Sequence, residues 1–196
     1  MPVLRDLSDQ ITRALGVREL KVQPLVQSSA NITMLMRGDG QALFAKIFTD
    51  ADPTKLNANQ RYDREKTILS KTWPVGMPQL VYFADTERVL VTREVKGHGF
   101  KHFRDADNTL DALGGMAGWL AGFHAAAEVQ PKTGTLWDDF SQYAEFREAA
   151  GFPALQGLLS DYPLTEYVLS KGDCMAANFK FTPTGVVGLD FEGVAY

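Results

Sequence analysis

Residues 171–192 read KGDCMAANFKFTPTGVVGLDFE, and three polar residues within them decide how the chain is read. Asp173, Asn178 and Asp190 stand among Gly, Ala, Val and Phe. A core segment hides its charges or turns them outward. An acid, an amide five residues on and a second acid beside an apolar run do neither, so their partners have to be sought elsewhere in the chain.

The bulk numbers set the frame. With 196 residues, 45% of them hydrophobic and 22% charged, the chain can bury a real core as one large domain or two small lobes. The net charge is −4 and no basic run or stripe occurs, which excludes the usual footprint of a nucleic-acid binder. Cys174 is the one cysteine, so no disulfide forms within the chain and a reducing compartment is expected. The N-terminus, MPVLRDLSDQ, lacks an apolar signal core. The longest uncharged stretch, Ala112–Ala127, holds four glycines and a histidine and falls short of the roughly 20 apolar residues of a membrane span. A cytoplasmic protein is expected, without membrane contact.

Hydrophobic periodicity divides the chain. Leu4, Leu7, Ile11 and Leu15 recur at helical spacing before Gly16. Residues 20–27, 32–37 and 42–48 then read as strands, the last two joined by a turn at Arg37-Gly38-Asp39-Gly40. A polar loop at 50–59 leads into a helix over 59–72, and 79–84 with 88–94 predict a further strand pair. After Gly97-His98-Gly99 helices are expected to dominate from about 105 to 170: a long one over Leu110–Ala127 and a second over 138–150. Gly114, Gly115, Gly118 and Gly122 each cost the long helix about 1 kcal/mol, which suits close approach of another backbone. Val186–Phe191 is predicted as a strand. His124 is expected as a hydrogen-bonded core residue and Cys174 as a small buried one.

Two charges sit on apolar faces. In Ala42-Leu43-Phe44-Ala45-Lys46-Ile47-Phe48, alternation puts Lys46 on the face of Phe44 and Phe48. An edge-strand lysine bending to solvent has the same pattern. On the following helix Tyr62, Glu65 and Leu69 form one stripe, while Arg61, Arg64 and Lys66 fall elsewhere. A buried carboxylate costs several kcal/mol unless a cation meets it, and Lys46 is available for Glu65. Gln27-Ser28-Ser29-Ala30-Asn31 is either an ordinary turn or a small-residue turn offering N–H and hydroxyl donors to a phosphate.

Lysine on the third strand, glutamate on the next helix, a joint, then D-x-x-x-x-N and a later D is the order of the protein-kinase-like phosphotransferases. The chain resembles the aminoglycoside phosphotransferase and choline kinase group over nearly its whole length. Lys171-Gly172-Asp173, Asn178 and Asp190-Phe191-Glu192 match the family's H-G-D-x-x-x-x-N and D-F/W-E, with lysine in place of the histidine. Leu120-Ala121-Gly122-Phe123-His124 looks like its L-A-x-L-H helix, and Leu90–Gly97 like its adenine-binding hinge. Tyr196 stands six residues after Asp190, where the family continues with a turn and several helices, so a short C-terminal part is expected.

The resemblance implies an α+β, two-lobed protein-kinase-like fold. Residues 1–96 would form an antiparallel-sheet N-lobe and 97–196 a mainly helical C-lobe. It implies an ATP- and Mg²⁺-dependent phosphotransferase acting on a hydroxyl group of a small molecule. A nucleotide-binding pseudokinase of the same fold is the alternative. Lys46 would hold the α/β-phosphates and Glu65 would hold Lys46. Ser28 and Ser29 would contribute donors to the phosphates. Thr92 would be the gatekeeper, and the Arg93 carbonyl and Val95 N–H would face adenine. Asn178 and Asp190 would ligate Mg²⁺, and Asp173 would orient the acceptor hydroxyl and take its proton.

Overall fold

The computed structural model describes residues 2–27, 30–50, 57–103, 106–135, 156–157, 160–161 and 163–194. Met1–Ala126 with Lys171–Ala195 form one compact unit, and Ala127–Ser170 belong to a second.

In the first unit the chain opens with helix α1 (Pro2–Leu15), closed by Gly16 at φ +66°. Strands β1 (Lys21–Gln27), β2 (Asn31–Gly38), β3 (Gln41–Phe48), β4 (Leu80–Ala84) and β5 (Val89–Arg93) follow. They make an antiparallel sheet in the order β1-β2-β3-β5-β4. The β2–β3 hairpin turns at Asp39-Gly40, whose φ angles of +47° and +74° suit the strand twist.

Alternation along the strands gives this sheet two different faces. Met34, Met36, Leu43, Ala45, Val89 and Val91 point one way and close over Leu7 and Ile11 of α1 in a single buried cluster. The intervening residues Leu35, Phe44, Lys46, Leu90 and Thr92 line a cavity on the other side. Burying each large apolar side chain contributes about 1.5–3 kcal/mol, so the α1 face anchors the sheet and leaves the second face for other work.

Helix α2 (Ala58–Leu69) starts where the Asn57 side chain accepts from the Gln60 N–H at 2.9 Å. It ends at Leu69, three residues before the expected limit of 72. Past the joint come β6 (His98–Gly99), a 3₁₀ turn at Phe100–Phe103 and helix α3 (Ala106–Ala126), which begins at Ala106 rather than Leu110. After the second unit, β9 (Phe179–Thr182) and β10 (Gly185–Gly188) form a hairpin that pairs with β6. β10 therefore stops short of the strand expected to run to Phe191. Trp119 and Phe123 of α3 pack with Trp73, Phe179 and Phe191 beneath that hairpin.

The α3 glycines do not meet the expectation of a close backbone, because only side chains approach two of them. A Cβ at Gly115 or Gly122 would lie 3.0 Å from Val186 or 2.7 Å from Val75, both side chains, whereas Gly114 and Gly118 face open space. The second unit also departs from the helical expectation. There β7 (Val129–Thr135) and β8 (Pro163–Val168) make a two-stranded antiparallel sheet. Val129, Thr135, Tyr167 and Val168 are residue types that favour strands. The helix expected over 138–150 lies outside the described residues. Among the described residues no helix is long and apolar enough to cross a membrane.

Candidate active site

Strand β3 carries Lys46 onto the cavity face, and α2 lies across that face with Glu65 one turn after Arg61. The two anomalous charges meet: Lys46 Nζ donates to Glu65 Oε2 at 2.8 Å, with both side chains buried. Two more carboxylates share the ammonium, Asp190 at 2.6 Å and Glu192 at 3.2 Å. Burial alone would push the lysine pKa down, but the three carboxylates more than reverse it and hold Lys46 charged. Burial pushes Glu65 the other way, toward its neutral form, against the pull of Lys46. The ionised pair is the state we assign, because protonating Glu65 would strip a buried ammonium of a counter-charge.

Arg61 belongs to the same network, contrary to its expected place off the buried stripe. It is 3% exposed. Nη1 donates to Asn31 Oδ1 at 2.9 Å and to Glu192 Oε2 at 3.2 Å, and Nη2 to the carbonyls of Ala30 and Thr49 at 3.1 and 2.6 Å. Asn31 Nδ2 donates to the same Glu192 oxygen at 2.8 Å. Burial raises the Glu192 pKa, but Lys46, Asn31 and Arg61 outweigh it and hold the carboxyl below its ordinary value. Arg61, Glu65 and Leu69 lie at i, i+4 and i+8, a spacing that could have revealed Arg61. In the sequence Glu192 stands out only as part of a motif.

The opening stretch folds around Gly172. Its φ is +77°, and a Cβ there would lie 2.2 Å from the Gly193 carbonyl oxygen, so only glycine lets the two segments pass. Asp173 Oδ1 accepts from the Met175 N–H at 3.0 Å, and the Asn178 amide reaches back to the Asp173 carbonyl at 3.4 Å. A 3₁₀ turn, Ala176–Asn178, delivers Asn178 to the start of β9. The Leu189 N–H donates to the Asn178 carbonyl at 2.8 Å, extending the β9–β10 ladder by one step. Asn178 and Asp190 are thereby brought to one wall of the cavity, with Asp190 in the left-handed region at φ +58°. Asp173 is half-buried and is not among the cavity-lining residues.

Lys171 is completely buried. Nζ donates to the carbonyls of Asp173 at 2.6 Å and Asp190 at 3.1 Å and lies over the rings of Phe179 and Phe191. Lys171 is thus a brace between two segments, and its burial lowers its pKa.

The cavity measures about 490 Å³, within the range of small-ligand sites. Lys46, Glu65, Asn178 and Asp190 form its polar end, while Thr92, Arg93 and Val95 line it along the joint. Lys180 also lines it, and nothing in the surrounding sequence singles it out. Ser28 and Ser29 lie outside the described residues, as do the acids Asp138, Asp139, Glu145 and Glu148. Two expectations fail: Cys174 is exposed, and His124 faces outward from α3 instead of joining the core. The buried face of α3 is taken by Trp119 and Phe123, which leaves the next position, His124, on the outside.

No protein-family model matches this sequence, and no curated protein matches it. Solved structures do resemble the fold. One is the gentamicin complex of APH(2")-IIa, at a TM-score of 0.59 and 17% identity, covering 97% of this chain and 71% of that one. Another is aminoglycoside phosphotransferase APH(4)-Ia, at 0.63 and 12%, covering 96% and 72%. A third is spectinomycin phosphotransferase APH(9)-Ia in complex with ADP and spectinomycin, at 0.58 and 10%, covering 97% and 69%. Sheet, helix order and neighbours agree, and the chain has the α+β fold of the aminoglycoside phosphotransferases.

Proposed function

We propose that this protein is an ATP- and Mg²⁺-dependent phosphotransferase acting on a hydroxyl group of a small molecule. The observation that carries the reading is the meeting of Lys46, Glu65 and Asp190 at the polar end of the cavity. The nucleotide lies between an N-terminal part, residues 1–96, and a C-terminal part, 97–196. Adenine sits along Thr92, Arg93 and Val95, against the Arg93 carbonyl and Val95 N–H. Ser28 and Ser29 are the further phosphate donors in this proposal.

Phosphoryl transfer asks the protein mainly to position and neutralise charge. Lys46, held by Glu65, neutralises phosphate oxygens at the polar end. Asn178 and Asp190 offer an amide oxygen and a carboxylate on one cavity wall, a donor set that suits a hard divalent cation. Bound there, Mg²⁺ would neutralise developing charge on the phosphate oxygens. Asp173 orients the acceptor hydroxyl and takes its proton. The solved structures named above supply the acceptor class by analogy, since gentamicin and spectinomycin are small hydroxyl-bearing molecules.

The test is ATP consumption measured against a panel of hydroxyl-bearing small molecules, aminoglycosides and amino alcohols among them. Asp173→Asn keeps the side-chain volume and loses the proton acceptor. Nucleotide affinity is expected to stay within a few-fold, while transfer falls by roughly 10²–10⁴. Nucleotide binding without turnover on any acceptor would point to a pseudokinase. Absence of nucleotide binding would refute the reading.

A further inference from the structure

Glu65, Asp190 and Glu192 all press on one ammonium, which has only three hydrogens to give. A phosphate can reach Lys46 only by displacing a carboxylate. The three are not equally easy to displace. Among the described residues Glu65 and Asp190 have Lys46 as their one ion-pair partner, whereas Glu192 has a second cation, Arg61 at 3.2 Å, and an amide donor, Asn31 at 2.8 Å. Asp190 is about a third exposed, so water can take the place of Lys46 for it. Of the two well-buried carboxylates, Glu65 and Glu192, only Glu192 can leave Lys46 without becoming an unpaired buried charge.

Arg61 is itself anchored. Its second nitrogen is spent on the Ala30 and Thr49 carbonyls, so the guanidinium is held between the start of β2, the end of β3 and α2. With Arg61 present the cluster holds three carboxylates against two cations. Without it three carboxylates face Lys46 alone, and among the described residues Glu192 has no cation but that lysine.

We propose that Arg61 is a positioning residue that draws Glu192 off Lys46 and so leaves the Lys46 ammonium available to phosphate. The inference rests on the nucleotide-binding reading above, and its test separates the two. Mg–ATP and, separately, inorganic tripolyphosphate are titrated calorimetrically into the parent, Arg61→Met, Glu192→Gln and the double variant. Arg61→Met is expected to weaken both ligands about tenfold, a coupling within the span of contacting charged pairs. Glu192→Gln is expected to tighten both by a few-fold, because the competitor for Lys46 is weakened. The double variant is expected to match Glu192→Gln, since Arg61 has then lost the group it acts through.

A residue that merely holds the Ala30 and Thr49 carbonyls would lower the melting temperature, and Glu192→Gln would not rescue binding. Should Arg61→Met fail to fold, Arg61→Lys keeps a charge without the two-pronged anchor. It is expected to show a partial loss that Glu192→Gln again removes. Parent-like affinity in Arg61→Met, an unrescued loss, or weaker binding in Glu192→Gln alone overturns the proposal. If tripolyphosphate follows the expected cycle while Mg–ATP does not bind, the nucleotide reading falls and the role of Arg61 stands. If Mg–ATP binds and the two substitutions act independently, the reverse holds. If neither anion binds the parent, both fall.

Discussion

At the scale of single residues, the site gathers opposite charges in a buried place. A buried ion pair is poor evidence for stability, because desolvation offsets the attraction. Its presence here is better explained by the work proposed for it. Lys46→Ala is expected to weaken Mg–ATP by roughly 30-fold or more, the lower end of the cost of removing one partner of a buried charge pair. Glu65→Gln acts in the same direction and less severely, since Lys46 keeps its charge and loses a fixed neighbour. Calorimetric titration checks both, and parent-like affinity in Lys46→Ala would remove its phosphate-holding role. Asp190→Asn is expected to raise the Mg²⁺ concentration needed for nucleotide binding, and Asn178→Ala to raise it less. A metal titration superimposable on the parent's would move the metal elsewhere. The pairing of Lys46 with Glu65 was legible in the sequence, because alternation and helical spacing each marked a charge on an apolar face. Arg61 is not legible in the stripe of Tyr62, Glu65 and Leu69, because the buried face of α2 is wider than one stripe and includes Arg61 as well.

At the scale of elements, the 171–193 segment depends on one backbone approach. Gly172 combines a left-handed φ with contact against Gly193. Gly172→Ala is expected to cost about 1–3 kcal/mol of local strain and to displace Asp173 from its place. Transfer should fall while the β1–β5 sheet, packed on α1, keeps its protection. Hydrogen exchange on β2 and β3, read beside turnover, checks this; equal loss of protection across the sheet would show a global effect instead. The strands of the first half were legible because one face is apolar and the other mixed, and period two shows plainly in such strands. The β7–β8 sheet was not, because its residues sit between polar stretches and carry no clean alternation. The end of β10 was missed for a different reason: Leu189 and Phe191 continue an apolar run, but Asp190 turns left-handed and breaks the ladder.

At the scale of the whole molecule, two buried lysines give opposite dependences on pH. Lys171 has a folded pKa below the ordinary 10.5, so between that lowered value and 10.5 the unfolded chain binds more protons and stability rises with pH. Lys46 has a folded pKa above 10.5, and its contribution is complete below 10.5 and is lost as pH climbs through the folded value. Lys171→Met should therefore flatten the rise in stability as pH approaches 10.5 from below, measured as the urea midpoint at a series of pH values. An unchanged slope would mean that another group sets it. The same variant leaves the Asp173 and Asp190 carbonyls without their ammonium donor, so some loss of absolute stability is expected at neutral pH.

What the sequence by itself determined is local and periodic: the helix–sheet order of the first half, the hairpin at Asp39-Gly40, the faces of β3 and α2, and the D-x-x-x-x-N spacing. These depend on neighbours within one turn or one strand, and steric rules act at that range. Only the tertiary structure decided which distant groups share an environment. Glu192 lies 131 residues from Arg61 and 146 from Lys46, and no periodicity spans such a gap. It decided too that Lys171 is a buried brace and His124 a surface residue, because burial depends on how whole elements pack and on which side chains reach the interior first.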